Sequence, residues 1–146
     1  MKVIFLDIGG VLNSSRSWYA YRHRLPDSPD DSFFDTIAVK LVQELCRVTD
    51  SVCVLSSSWR YSWTHEELSK ALQLPIVDST PRSISFRLRG YEIKEWLEEN
   101  PVESYCIIDD VDEMLEEQLD KFVHVDHYNG LSYEDVKKAE NILMNQ

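Results

Sequence analysis

Lys2-Val3-Ile4-Phe5-Leu6-Asp7-Ile8-Gly9-Gly10-Val11-Leu12 is an apolar run that ends abruptly in a carboxylate and two glycines. Val3 to Leu6 is β-branched and aromatic without polar alternation, which reads as a strand buried on both faces. Asp7 then stands at the carboxyl end of that strand, the edge at which open parallel α/β sheets bind ligands. Gly9 and Gly10 allow a sharp turn and a close approach of the backbone to a ligand. The same four residues, Asp7 to Gly10, also read as a plain strand-to-loop turn, so the rest of the chain has to decide between the two.

Two later runs repeat the pattern. Ser51 to Leu55 is a short buried strand that stops at Ser56-Ser57-Ser58-Trp59-Arg60. Tyr105 to Ile108 is another, stopping at Asp109-Asp110, two carboxylates that repel each other unless a cation or hydrogen bonds compensate. Ile76 to Asp78 and Phe122 to Val125 read as further short strands.

Helical segments lie between them. Asp35 is an N-cap for a helix from about Thr36 to Val48, with Ile37, Leu41, Val42 and Leu45 as its apolar face. Thr64 caps a helix from about His65 to Leu72, with Glu67 at the capping-box position. A helix from about Tyr91 to Glu99 carries Ile93, Trp96 and Leu97 inward, bears Lys94, and ends at Asn100-Pro101. Gly130-Leu131-Ser132 opens a last helix with Val136, Ala139, Ile142 and Leu143 as its stripe. Strand and helix alternate throughout, the pattern of an α/β parallel sheet with helices on both faces.

The 146 residues suffice for one domain with a real core. Hydrophobic content of 43% and charged content of 28% are those of a globular protein. A net charge of −11 and a pI near 4.7 argue against broad nonspecific binding to nucleic acid or membranes. No run approaches the roughly 20 apolar residues of a membrane span. Asp7 interrupts the first apolar run and no small-residue cleavage site follows, so the N-terminus does not read as a signal peptide. Cys46, Cys53 and Cys106 are odd in number, lie in apolar segments and form no CxxC, which reads as buried reduced thiols in a cytoplasmic protein.

One segment runs against the acidic balance. Residues 13–26 contain Arg16, Arg22 and Arg24 among Trp18, Tyr19 and Tyr21. Arginines there can meet a phosphate-bearing ligand while the aromatics stack on bases; a surface helix or hairpin pinned by Trp18 and Tyr21 reads equally well. Residues 80–89 are irregular and carry Arg82, Arg87 and Arg89. Asp112, Glu113, Glu116 and Glu117 read as a solvated acidic helix face. His124, Asp126 and His127 make a weak metal pattern.

Three strand ends thus carry chemistry: Asp7, Ser56/Ser57 and Asp109-Asp110. Carboxylates from two strands can hold Mg²⁺, a hydroxyl can bind a phosphoryl oxygen, and an arginine or lysine can neutralise it. These are the parts for phosphoryl transfer through an aspartyl phosphate.

In these motifs the chain resembles the haloacid dehalogenase (HAD) superfamily. Asp7-Ile8-Gly9-Gly10-Val11 is similar to its first motif, Val54-Leu55-Ser56-Ser57 to its second, Arg89 or Lys94 to its third, and Ile107-Ile108-Asp109-Asp110 to its fourth. A closer resemblance is to the small, nearly capless HAD domains of the Swiss Army Knife RNA repair proteins. It rests on Gly10-Val11-Leu12-Asn13, Ser56 to Arg60, Arg89-Gly90-Tyr91-Glu92-Ile93, Ile107 to Asp110 and Gly130-Leu131-Ser132. The resemblance implies a single Rossmann-like three-layer domain over residues 1–146, with a minimal cap or none and a short insertion at about 13–32.

It also implies that Asp7 is the nucleophile and that Mg²⁺ is held by Asp7, the Gly9 carbonyl, Asp109 and Asp110. Ser57 or Ser56 would bind the transferring phosphoryl group and Arg89 or Lys94 would stabilise its charge. Gly10, Arg60, Arg16, Arg22 and Arg24 are placed with Ser57 as substrate-binding residues. The chain departs from the family at Gly9, which stands where the general acid/base aspartate belongs. General acid–base catalysis contributes about 10²–10⁴-fold. Asp110 or His23 are conceivable substitutes. The implied function is a Mg²⁺-dependent phosphohydrolase with weakened turnover, suited to a terminal phosphate on a nucleic acid and to separate repair proteins as partners. Two alternatives stand beside it: a catalytically impaired phosphate- or nucleic-acid-binding module, and a phosphatase for a small activated phosphate.

Overall fold

The computed structural model describes residues 1–22, 34–82 and 88–146. Five strands, β1 (Lys2–Leu6), β2 (Ser51–Leu55), β3 (Ile76–Ser79), β4 (Ser104–Asp109) and β5 (Phe122–His124), form one parallel sheet in the order β3-β2-β1-β4-β5. The helices are α1 (Ser15–Arg22), α2 (Thr36–Thr49), α3 (His65–Leu72), α4 (Arg89–Glu99) and α5 (Tyr133–Met144). Two 3-10 turns, Ser58–Tyr61 and Glu116–Lys121, complete the described elements. This is an α/β Rossmann-like arrangement, and no cap-sized unit occurs among the described residues.

Both faces of the sheet are covered. Ile4, Leu6, Cys53, Leu55, Cys106 and Ile108 pack with the apolar stripes of α2, α3 and α5. Val3, Phe5, Val54 and Ile107, from the alternate strand positions, pack under Ile93 and Trp96 of α4. The period-2 alternation of a strand therefore feeds two cores, which is why these runs read as continuously apolar. Phe5 meets Trp96 and Tyr105 edge-on, with ring centroids 5.4 and 5.8 Å apart. The three cysteines are buried and free.

Strand order and register create the site. The chain runs β1, β2, β3 outward in one direction, then returns to place β4 on the other side of β1. The strand order reverses between β1 and β4, the topological switch point at which such folds bind ligands. Leu6 pairs with Leu55 and with Ile108, so Asp7, Ser56 and Asp109 leave the sheet at one level. Two further bonds extend the ladder past Leu6: Ser56 N–H donates to Leu6 O at 2.9 Å and Asp7 N–H to Ile108 O at 3.0 Å.

Local chemistry sets the helix starts. Asp35 accepts from the N–H groups of Ile37 and Ala38 at the start of α2, and Thr64 with Glu67 forms the capping box of α3. Ser132 caps α5, with Asp135 returning the bond. Three expectations are corrected. Ile37 is 70% exposed, because the inward stripe of α2 runs through Ala38, Val39, Val42, Leu45 and Cys46, centred about 140° around from it. α4 begins at Arg89, two residues earlier than its apolar pattern indicates. The acidic stretch after Asp110 is bends and a 3-10 turn rather than an α-helix; Asp112, Glu116 and Glu117 are exposed as expected, whereas Glu113 holds the start of α4. There Arg89 N–H donates to Glu113 Oε1 at 3.3 Å and Gly90 N–H to Glu113 O at 3.0 Å. Buried Gln118 bridges the Leu115 N–H and the Gly90 carbonyl, each at 2.9 Å.

Candidate active site

Asp7, Asp109 and Asp110 bring one carboxylate oxygen each within 4.8 Å of one another. Asp7 is only 4% exposed and Asp109 is fully buried. Oδ1 of Asp7 accepts from the Ile8 N–H at 2.8 Å, and Oδ1 of Asp109 accepts from the Val111 N–H at 2.9 Å. Arg89, from the first turn of α4, lies across the gap: its Nη1 is 3.2 Å from Asp7 Oδ2 and 2.6 Å from Asp109 Oδ2.

One guanidinium does not satisfy three carboxylates. Burial, the neighbouring Asp109 charge and a hydrogen bond with Asp110 push the Asp7 pKa up to about 9, against the opposing pull of Arg89 and Ser57. Burial also raises Asp109, with Arg89 and the Val111 N–H working against it. Burial disfavours the Arg89 charge, but Asp109 and Asp7 outweigh it and its pKa rises. Asp110 Oδ1 is buried with no hydrogen-bond partner among the described residues. A crowded set of hard oxygen donors with an orphaned oxygen fits a small divalent cation.

The glycines divide in role. Gly10 has φ +81°, and a Cβ there would run into the Asp110 carboxylate. Its N–H donates to Asn13 Oδ1 at 3.0 Å, which closes the loop after β1. Gly9 has no such constraint: a Cβ would make only an ordinary 3.5 Å contact with Trp59 Nε1.

The second motif resolves into two different serines. Ser57 is buried, its hydroxyl lowers the Asp7 pKa, and its Oγ accepts from the Trp59 N–H at 3.2 Å as the cap of the 3-10 turn Ser58–Tyr61. Ser56 Oγ is buried and without a hydrogen-bond partner among the described residues. Arg60, expected at the substrate, is turned inward. Its Nη1 donates to the Ser57 carbonyl at 2.7 Å and its Nη2 pairs with Glu92 Oε2 at 2.7 Å, both side chains being buried. Arg60 thus ties the serine loop to α4, one turn beyond Arg89.

Lys94 lies elsewhere on α4, half-exposed and 3.5 Å from Glu117 Oε1, so Arg89 alone of the two cations reaches the carboxylates. Arg16 is exposed on α1, where its N–H donates to Tyr128 O. Arg24 and His23 fall outside the described residues, as does the side chain of Arg22. His124 and Asp126 do not form a metal site: His124 Nε2 lies 3.0 Å from the Asp110 carbonyl, and Asp126 accepts from Tyr128 N–H and Asn129 in its own turn.

Glu92 was the residue that sequence reasoning missed. A signal for it exists, since Glu92 shares the inward face of α4 with Trp96, four residues on, and a lone acid on such a face needs a buried cation.

The sheet, its switch point and the carboxylates at the ends of β1 and β4 are those of a HAD-type domain. Residues 3–136 match the family model for the HAD domain in Swiss Army Knife RNA repair proteins, and the chain belongs to that family. No curated protein and no solved structure matches it significantly.

Proposed function

We propose that the protein is a Mg²⁺-dependent phosphohydrolase working through an aspartyl phosphate on Asp7, with a terminal phosphate of a nucleic acid as substrate. The carrying observation is the convergence of Asp7, Asp109 and Asp110 within 4.8 Å, with Arg89 against two of them. Asp7, Asp109 and Asp110, with the Gly9 carbonyl, would hold Mg²⁺, which supplies the positive charge that lets the carboxylates ionise together beside a phosphoryl group.

Asp7 attacks the phosphorus as its ester bond to the leaving oxygen breaks. The Ser57 hydroxyl and the Arg89 guanidinium bind the phosphoryl oxygens, and water then cleaves the Asp7–phosphoryl bond to release inorganic phosphate. The leaving oxygen must gain a proton, and glycine at position 9 supplies none. Good leaving groups are therefore favoured over alkyl ones. The buried free thiols suit a reducing, cytoplasmic compartment, and no helix among the described residues is long and apolar enough to cross a membrane.

The space beside Gly9 makes the reading testable. Gly9→Asp is expected to raise turnover of alkyl phosphates, including phosphorylated nucleic-acid ends, by up to about 10²–10⁴-fold. Turnover of p-nitrophenyl phosphate should change little. Efficient hydrolysis of acyl phosphates alone would instead favour the small activated substrate. Absence of turnover on aryl, acyl and alkyl phosphates alike, in both wild type and variant, would leave the binding module.

A further inference from the structure

A groove of about 370 Å³ opens between the 3-10 turn Ser58–Tyr61 and the first turn of α3. Tyr61 and Trp63, 49% and 46% exposed, line it. The Arg82 guanidinium lies over the Tyr61 ring, 4.0 Å from its centroid, and the buried Arg60 is 4.8 Å from the same centroid. Two acids also border the groove, but both are engaged. Glu67 Oε1 accepts from the Thr64 N–H in the capping box, and Glu66 lies 3.2 Å from His65 Nε2. Arg82 has no carboxylate partner among the described residues.

We propose that this groove holds the bases of a single-stranded nucleic acid whose terminal phosphate occupies the Asp7 site, stacked on Trp63 and on the Arg82 guanidinium. Exposed aromatic residues lining a polar groove, with a planar cation beside it on Tyr61, are the parts of a sequence-tolerant base-stacking platform. Its position fits. The turn that borders the groove is capped by Ser57, whose hydroxyl acts on Asp7, so one short turn of chain joins the groove to the site. The proposal rests on the phosphohydrolase reading for its substrate and names the surface that would recognise it. The surface is separate from the catalytic residues, so the two can be broken independently.

The test is fluorescence anisotropy with single-stranded RNA hexamers, labelled at one end and phosphorylated at the other, in both polarities. Wild type is compared with the double variant Trp63→Ala/Arg82→Gln. Both side chains are exposed, and the turn at Trp63 is held by its backbone bond to Trp59 O, so the variant is expected to melt like wild type. Trp63→Phe, which keeps a ring, checks this further. The double variant should bind the hexamer about tenfold or more weakly, with p-nitrophenyl phosphate turnover unchanged and Trp63→Phe close to wild type. Equal hexamer affinity in wild type and double variant would overturn the proposal. Loss of p-nitrophenyl phosphate turnover together with hexamer binding would also overturn it as a separate surface. If wild type hydrolyses nothing, the phosphohydrolase reading fails while the binding comparison still decides this one.

Discussion

Asp35 and Asp7 each sit one residue outside a regular element, Asp35 before a helix and Asp7 after a strand. Asp35 Oδ1 faces the N–H groups of Ile37 and Ala38 at 3.0 and 3.3 Å, where the helix dipole welcomes a negative charge. Glu67 and Asp135 do the same work at the starts of α3 and α5. Asp7 is buried, faces two other carboxylates, and is pushed up to about 9. The same functional group stabilises the fold at one kind of chain end and strains it at the other. The strand-end charges are held for chemistry, against the preference of the metal-free fold, as stored strain at functional sites leads one to expect.

Glu92 sharpens the contrast, being buried like Asp7 but given its own guanidinium. Arg60→Met would remove the guanidinium paired with that buried carboxylate and is expected to destabilise the protein by about 3 kcal/mol, read by denaturant unfolding. Arg60→Met/Glu92→Leu should recover most of the loss. If it does so while turnover stays low, the pair positions Ser57 and Arg89 as well as supporting the fold.

Next in size is the response to pH. The folded-state pKa of Asp7 lies above its unfolded value, 3.8 against about 9. Below about pH 4 both states carry the proton, so this group does not penalise the fold. As pH rises from there toward 9 the unfolded chain releases the proton first, and stability is lost across that window. Metal-free protein should therefore melt lower at about pH 8.5 than at about pH 5 by roughly 2 kcal/mol or more. Mg²⁺ should raise the melting temperature more at the higher pH, and Asp7→Asn should flatten both trends. A metal-free melting temperature that rises over this range would break the comparison. At the other end of the scale, Asp35→Ala should cost about 1 kcal/mol by loss of the cap and leave turnover unchanged.

Much of this was legible in the sequence. Strand ends were visible because apolar runs stop on polar residues, and the caps because Asp35, Thr64 with Glu67, and Ser132 precede amphipathic segments. What stayed hidden depended on contacts between distant segments. Arg89 and Lys94 both precede β4 in the chain, and only the start and orientation of α4 point Arg89 at Asp7 and Lys94 at Glu117. Arg60 reads as a free cation until α4 places Glu92 beside it. Glu113 reads as part of a solvated face because its partner, the first turn of α4, lies 24 residues earlier in the chain.

The most direct test of the account is release of p-nitrophenol from p-nitrophenyl phosphate, with and without Mg²⁺, by wild type and Asp7→Asn. This leaving group needs little protonation, so glycine at position 9 does not mask the chemistry. The account predicts Mg²⁺-dependent turnover in wild type and a loss of at least about 10³-fold in a folded Asp7→Asn protein, as expected when a covalent nucleophile is removed. Equal turnover in the two proteins, or none from wild type with Mg²⁺ bound, would contradict it.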